Sequence, residues 1–459
     1  MALLSAKSIR IFKTFNLYGC FFVLGLCVAI PGPTLIDLTH LVHTDIKTIA
    51  FIYAARSVGY LAGSLLGGVF FDMISRKQII LFFGNVVTTI TMFGVPWSRQ
   101  IRTLTIWMVV NGLTLGVLDT GGNVCCLNLW GKDSGPFYQA LHFTFGIGGL
   151  VSPLIAAPFL GDYSDFEQFY DNGTLETNET CYQNHTDFSN ATSVAIPRVT
   201  WAYMSIGVIS FFVTILFLAM CIIAPVDESG RKGGESESGK KSWAFTALIV
   251  FLTCILILTS MGTEVGYAQM LTTYAVKGPL HLSTSTGSYM TSTYWAAFTA
   301  SRLAAIFLTI KFSNFSLIVF DVVLTFIGGL VLLFLAASYD WALWVASILL
   351  GVGIASFFPA SVSWIEQYIN VTNKIASMFA VGASFGEMII PYTISYFIDE
   401  KPEVFIYVVI VSCVVAIVVT FIMYLILRKI PDKYTSRRTS SVNAARSGSV
   451  NAAYNNTEI

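Results

Sequence analysis

Five ionisable side chains lie deep within the apolar stretches of this sequence. Asp119 follows the run TLTIWMVVNGLTLGVL, and Arg56, Glu264, Arg302 and Glu387 lie well inside four other apolar runs. An ionisable group at the centre of a membrane helix is costly, and such groups usually face a water-filled path or a partner charge. The five residues therefore indicate binding or transport chemistry inside a membrane.

The signs of these five charges leave one carboxylate without a counter-ion. Two arginines oppose three acids, and each arginine stabilises one carboxylate in its ionised form. A third carboxylate in a membrane cavity takes up a proton or binds a cation, which is the chemical basis of cation-coupled transport. The alternative is structural: the acids could join hydrogen-bonded networks in which water or hydroxyl groups satisfy the third carboxylate.

Polar residues near two of the acids suit a ligand with many hydroxyl groups. Asp119 and Asn123 are four residues apart and share one helix face, and together they donate and accept hydrogen bonds. Further along, TEVGYAQMLTTYA places Glu264 and Tyr267 on one face, where an aromatic ring could pack against a sugar. For Tyr274 we expect a place in the aromatic belt at the membrane–water interface.

The elements that must position these residues are membrane helices. Of the 459 residues, 55% are hydrophobic and only 11% are charged, with a mean hydropathy of +0.71, whereas soluble proteins carry about 25% charged residues. The net charge is zero, which gives no indication of nucleic-acid binding. The sequence shows no metal-ligand spacing, nucleotide-binding motif or paired nucleophile and base, so we expect no metal, no cofactor and no enzymatic activity.

At about 20 residues per membrane crossing, the apolar runs predict an all-α membrane protein with twelve transmembrane helices. The polar linker 225–242 separates two pseudo-symmetric six-helix halves, 1–224 and 243–430, and we expect residues 431–459 to form a disordered cytoplasmic tail. Asp321 lies near the start of the ninth span, so we expect it to reach the membrane interface. The predicted spans are 16–36, 48–71, 78–96, 101–126, 138–160, 199–224, 243–275, 286–310, 315–337, 341–364, 374–398 and 403–427.

The basic residues and one polar loop indicate the same orientation. With a cytoplasmic N-terminus, 18 lysines and arginines fall inside the cell and 6 fall outside, which is the asymmetry expected of cytoplasmic segments. This orientation places both termini in the cytoplasm and the loop 161–198 outside. That loop holds four glycosylation sequons, at Asn172, Asn178, Asn184 and Asn190.

The two halves resemble each other in sequence. GGLVSP at 148–153 in the fifth span matches GEMIIP at 386–391 in the eleventh, with an offset of 238 residues. GYLAG at 59–63 and SRLAA at 301–305 occupy the equivalent second and eighth spans. Internal repeats of this kind are typical of transporters, whose binding site lies near the middle of the membrane between the repeats.

The segment GGVFFDMISRKQ, residues 67–78, resembles the loop motif of the major facilitator superfamily. Its matching residues are Gly68, Asp72, Arg76 and Lys77, and Ser75 stands where the motif has its second glycine. The resemblance implies that this loop is a cytoplasmic latch between the second and third helices, which acts in gating and does not bind the substrate.

A closer resemblance is to the sodium-dependent glucose transporter group and to bacterial fucose permease. It is carried in order, in both halves, by ARSVGYLAGSLLGGVFFD, LDTGGNV, QALHFTFGIGGLVSPL, TEVGY, FFPASVSWIEQY and GASFGEMIIP. The resemblance implies sugar transport by alternating access. Asp119 matches the acid that handles the coupling proton in fucose permease, whereas sodium is the coupling ion in the glucose-transporting group.

Together these features predict a sodium-coupled hexose symporter of the plasma membrane, whose partners are a small sugar and the lipid bilayer. We expect Asp119 and Glu264 to hold the sodium ion or a proton. The sugar-binding candidates are Asn123, His142, Gln269, Trp295 and Glu387. The predicted charge network consists of Arg56, Arg302 and Glu366.

Several alternatives stay open at this point. The solute could be another small polar molecule, carried with protons or without coupling, and the chain could be a membrane receptor that does not transport. For His142, packing in the helix core is the alternative to a role in binding.

Overall fold

The computed structural model describes residues 6–74, 76–130, 134–161, 196–223, 243–369, 371 and 373–430. These residues form fifteen α-helices and two short 3-10 helices, Val95–Trp97 and Ala157–Phe159, and include no strand. The first half contains α1 (Ala6–Ala29), α2 (Leu35–Leu41), α3 (Ile46–Ile49), α4 (Phe51–Met73), α5 (Lys77–Gly94), α6 (Ile101–Trp130), α7 (Ser134–Ala156) and α8 (Val199–Ile223). The second half contains α9 (Trp243–Lys277), α10 (Thr284–Lys311), α11 (Asn314–Leu335), α12 (Asp340–Ala355), α13 (Phe357–Glu366), α14 (Asn373–Phe397) and α15 (Val404–Leu427).

Ten helical segments in the described ranges are long and apolar enough to cross a membrane. Helices α10 and α14 are also long but less apolar, and each packs against the opposite half, α10 on α7 and α14 on α4. A helix that faces the other half needs less apolar surface than one surrounded by lipid. With α12 and α13 counted as one span, twelve long segments fall at the predicted positions. The prediction of an all-α multi-pass membrane protein is confirmed.

The first membrane helix differs from its predicted bounds. The prediction was 16–36, whereas α1 begins at Ala6 and ends at Ala29. Pro31 and Pro33 follow directly, and proline has no backbone N–H to continue a helix. The chain therefore turns there and continues as α2, whose side chains are almost all buried.

Asp321 does not reach the membrane interface, so that expectation is wrong. Its side chain is 1% exposed, and Ser356 Oγ donates a hydrogen bond to Asp321 Oδ2 at 2.6 Å. Ser356 lies at the break between α12 and α13. The side of α11 that carries Asp321 packs on this break, because α11 contacts both helices, and nearness to a helix end in the sequence does not reveal that contact.

Glycines allow one pair of helices in each half to cross with their backbones in contact. A Cβ atom added to Gly148 of α7 would fall on the Phe22 carbonyl oxygen of α1, and one added to Gly386 of α14 would fall on the Leu258 carbonyl oxygen of α9. Small residues let membrane helices approach this closely. Gly148 and Gly386 are the equivalent glycines of the sequence repeat, so the structure supports the predicted relationship between the halves.

Hydrogen bonds join the two halves at one end of the helix bundle, which we call the closed end. Three hydroxyl groups at the start of α10 donate to backbone carbonyl oxygens at the end of α7 and just beyond it. The pairs are Ser288 Oγ to Pro153 O (2.7 Å), Ser285 Oγ to Ala157 O (3.2 Å) and Thr284 Oγ1 to Gly161 O (2.5 Å). Since α1 starts and α15 finishes at the opposite end, the closed end lies away from both chain termini.

Candidate binding and coupling site

The first half contributes a carboxylate that is held in place by two hydrogen bonds. Tyr60 on α4 donates its hydroxyl to Asp119 Oδ2 at 2.8 Å, and Asn123 Nδ2 donates to Asp119 Oδ1 at 3.2 Å. The predicted shared face of Asp119 and Asn123 is therefore present. Asn123 Oδ1 is buried and has no hydrogen-bond partner in the described structure, so it is available to a donor on a bound solute.

Tyr60 is a site residue that the sequence reasoning missed. It lies in GYLAG, between Gly59 and Gly63, and a Cβ atom on either glycine would fall on a carbonyl oxygen of α6. These glycines bring α4 and α6 close enough for the Tyr60 hydroxyl to reach Asp119. The sequence feature that could have identified it is a tyrosine one helical turn after Arg56, on a helix face with small residues.

The second half contributes two carboxylates from neighbouring helices. Glu264 on α9 is 3% exposed, and its Oε2 has no hydrogen-bond partner within the described ranges. Glu387 on α14 is partly buried and interacts electrostatically with Glu264, with Asp119 and with Arg56. The three acids singled out in the sequence therefore converge between the two halves.

Two arginines accompany these acids but have other contacts of their own. The Arg302 guanidinium lies 4.6 Å from the ring centre of Phe298 and interacts electrostatically with Asp119 and Glu264. Arg56 Nη1 donates to the Val28 carbonyl oxygen at 3.2 Å. Both arginines thus join the predicted charge network. Glu366 does not, because its side chain is exposed at the end of α13.

Three predicted sugar-binding residues, Trp295, Gln269 and His142, lie on α10, α9 and α7. Trp295 is 1% exposed, packs edge-on to Phe145 of α7 with ring centres 6.0 Å apart, and leaves Nε1 without a partner among the described residues. Gln269 is 2% exposed, and neither of its amide atoms has a described partner. His142 packs edge-on to Phe21 and Tyr138 at 5.5 and 4.8 Å, which favours the alternative of a packed histidine.

Two tyrosines of α9 have places different from those expected. Tyr274 is 1% exposed and stacks on Phe405 at 4.7 Å, so it is not part of a lipid-facing aromatic belt. Tyr267 hydrogen-bonds with Ser347 at 2.9 Å and also stacks on Phe405, so it does not offer its ring to a sugar. Both were misplaced because helical spacing does not reveal which neighbouring helix a face contacts.

The predicted gating loop and glycosylation sites are described only in part. The loop joins α4 to α5, and Arg76 is exposed. A Cβ atom added to Gly68 would meet no heavy atom of the described residues within 4 Å. Lys77 is the first residue of α5. The Asp72 side chain and Ser75 lie outside the described part, as do Asn172, Asn178, Asn184 and Asn190.

Several buried polar atoms on helices of the two halves lack hydrogen-bond partners among the described residues. Buried polar groups in proteins are nearly always hydrogen-bonded, yet several in this region have no partner in the described structure. They include acceptors and donors from both halves: Asn123 Oδ1, Glu264 Oε2, the Gln269 amide atoms, Trp295 Nε1 and Arg302 Nε. A solute with several hydroxyl groups can donate to the acceptors and accept from the donors.

Comparisons with known proteins identify relatives over most of the chain. The model of the Major Facilitator Superfamily matches residues 17–391. The chain is 31% identical over 397 residues to sodium-dependent glucose transporter 1 of Danio rerio, covering 84% of this chain and 64% of that protein, somewhat under two thirds of its length. It is 31% identical over 428 residues to sodium-dependent glucose transporter 1 of Homo sapiens, covering 92% of this chain and 80% of that protein.

A solved structure shows the same arrangement of helices. It is a bacterial homolog of the human lysosomal transporter Spinster in an inward-facing and occupied conformation, and it matches with a TM-score of 0.65 at 10% identity. The match covers 92% of this chain and 98% of that chain. At such low identity the likeness concerns the fold, and it confirms the predicted major facilitator architecture.

Proposed function

Because this chain belongs to the major facilitator superfamily, we propose that it is a symporter that moves a hexose across the membrane by alternating access, with sodium as the coupling ion. Two relatives that match most of its length are named sodium-dependent glucose transporters. The observation that carries the proposal is the set of unpartnered polar atoms beside three converging carboxylates. Proton coupling is the second candidate, because the same carboxylates can bind a proton.

Each residue group has a proposed role in this cycle. Asp119 and Glu264 provide negative charge for the coupling ion, while Arg56 and Arg302 set the charge balance around them. The hydroxyl groups of the sugar contact Asn123 and the polar atoms of α9 and α10. The residues proposed to line the sugar site are Asn123, Gln269, Trp295 and Glu387, whereas His142 is packed against Phe21 and Tyr138.

With both termini in the cytoplasm, the closed end faces the outside of the cell. The bias of lysine and arginine supports cytoplasmic termini, and the closed end lies away from the termini. The described conformation is then closed to the exterior, which is the inward-facing state of an alternating-access cycle. We propose the plasma membrane as its location.

A disulfide across the closed end is expected to stop transport. Ser285 Oγ lies 3.2 Å from the Ala157 carbonyl oxygen, so we choose the pair Ala157→Cys with Ser285→Cys for cross-linking by oxidation. The cross-link prevents the halves from separating there, and a reducing agent should restore uptake. The single variant Ser285→Cys is the control, because it contains the same natural cysteines as the double variant but cannot form the new disulfide. Full uptake by the cross-linked pair would contradict alternating access.

The uptake experiment tests substrate and coupling together. Cells expressing the chain receive labelled glucose in sodium buffer and in sodium-free buffer at two pH values. For Asp119→Asn we expect sodium-stimulated uptake to fall by about tenfold or more, because a charge-assisted hydrogen bond contributes about 1.5–3 kcal/mol. Asp340→Asn is the matched control, since Asp340 is exposed at the start of α12.

Each outcome of that experiment decides between the candidate functions. Uptake that needs sodium supports the symporter, and uptake that ignores sodium but rises with acid supports proton coupling. Absence of glucose uptake in both buffers, with the protein present at the cell surface, would refute glucose as the substrate.

A further inference from the structure

We infer that Glu264 and Glu387 together form a binding site for one monovalent cation in the second half of the protein. This inference deepens the proposed cation coupling and rests on it. It gives Glu387 a role as a cation ligand, and it makes Asp119 a fixed negative charge of the opposite half.

The crossing of α9 and α14 brings the two acids to the same level of the helix bundle. A Cβ atom added to Gly262 would meet the Gly386 carbonyl oxygen at 2.7 Å, and one added to Gly386 would meet Gly262 N at 3.0 Å. Glu264 follows Gly262 by two residues, and Glu387 follows Gly386 directly. The two acids therefore lie at nearly the same level of two helices in backbone contact, and they interact electrostatically.

The equivalent crossing of the first half shows that packing does not require these acids. There α1 and α7 cross at Gly25 and Gly148, and added Cβ atoms would again fall on backbone atoms. The residues that follow at the same spacing are Cys27 and Gly149. Cys27 is fully buried, and Gly149 packs against a tryptophan ring. One half thus builds the crossing from small uncharged residues, whereas the other adds two carboxylates.

The hydrogen bonds distinguish this pair from Asp119. Both oxygens of Asp119 accept hydrogen bonds, from Tyr60 and from Asn123. Glu264 Oε2 is buried without a partner in the part of the chain that the structure describes. A buried carboxylate oxygen without a donor needs a cation or a proton to offset its desolvation. The open ligand position therefore lies at Glu264.

The neighbouring charges leave room for one added positive charge. Arg302 interacts with both Glu264 and Asp119 while stacked on Phe298, and Arg56 interacts with Glu387 while bonded to a backbone carbonyl. Two carboxylates that share a site are not both ionised unless a cation neutralises one of them. Sodium prefers oxygen ligands, as hard cations do, and a proton can occupy the same carboxylate pair.

The test measures cation binding without sugar, so its result does not depend on the substrate. Purified full-length protein in detergent is titrated with radioactive sodium at neutral pH. We expect Glu264→Gln and Glu387→Gln each to weaken sodium binding by about tenfold or more, since affinity depends on the number of charged ligands, and the double variant to bind none. Glu366→Gln should bind as the unchanged protein does, because Glu366 is exposed at the end of α13.

A second arm distinguishes the proton from sodium. Proton uptake by the weakly buffered protein is followed with a pH indicator between about pH 8 and pH 5, a range in which buried carboxylates in proteins can titrate. If the unchanged protein binds no sodium but takes up protons, and the double variant does not take them up, the cation held by Glu264 and Glu387 is a proton. If the double variant keeps both sodium binding and proton uptake, the inference is overturned. If the Glu264→Gln protein aggregates in size-exclusion chromatography, Glu264→Asp is measured in its place.

Discussion

Replacement of Arg302 by glutamine is expected to lower sodium-driven uptake by about 100-fold or more while the protein still reaches the membrane. Arg302 interacts with acids from both halves, Asp119 and Glu264. Its loss leaves three carboxylates with one arginine, so two of them must take up a proton or a cation to offset their desolvation. A loss of about 2.8 kcal/mol corresponds to a factor of about 100.

The controls separate the charge of Arg302 from its shape. Arg302→Lys keeps the positive charge but loses the planar group that stacks on Phe298, so we expect partial uptake. Arg428→Gln alters an exposed arginine at the end of α15 and should transport normally. Initial rates are normalised to the amount of protein at the cell surface. Normal sodium-driven uptake by Arg302→Gln would show that the acids do not depend on this arginine.

The second large effect is on folding, at the crossing of α9 and α14. In Gly386→Val the new side chain would overlap the Leu258 carbonyl oxygen, and the backbone of a packed helix has little freedom to move away. Overpacking of a tight interior typically costs about 1–3 kcal/mol, and occasionally more. We expect the upper part of that range, seen as a clearly lower temperature at which the detergent-solubilised protein loses its monodisperse chromatographic peak.

Gly68→Ala is the matched control for the crossing. Among the described residues, no heavy atom lies within 4 Å of a Cβ atom added at Gly68, and alanine favours a helix over glycine by about 0.5–1 kcal/mol. Its thermal stability should be equal or higher. Equal stability of the Gly386→Val protein would mean that the two helices do not cross as described.

Membrane burial restricts charge so strongly that the sequence alone singles out the ionisable residues inside the helices. Asp119, Glu264, Glu387, Arg56 and Arg302 were recognisable one by one, and the structure brings them together. A charge inside a membrane must face a polar interior, whichever helix it belongs to. This physical constraint needs no knowledge of how the helices are arranged.

Features that depend on helix rotation could not be predicted in this way. Tyr60 was missed because its hydrogen bond to Asp119 needs the glycine contacts of α4 with α6. Tyr274 and Asp321 were assigned to the interface from their distance to a helix end, yet both are 1% exposed. Depth along a helix is readable from spacing, whereas the direction of a side chain around the helix depends on its neighbours.

The closed end has a thermodynamic consequence for the rate of switching. The three hydroxyl bonds that join α10 to the end of α7 and the residues beyond it all have backbone carbonyl acceptors, and water can replace each hydroxyl when the halves part. A hydrogen bond exchanged with water contributes about 0.5–1.5 kcal/mol net. Separation there would cost about 1.5–4.5 kcal/mol from these bonds, which leaves the opposite conformation as a minor state within thermal reach.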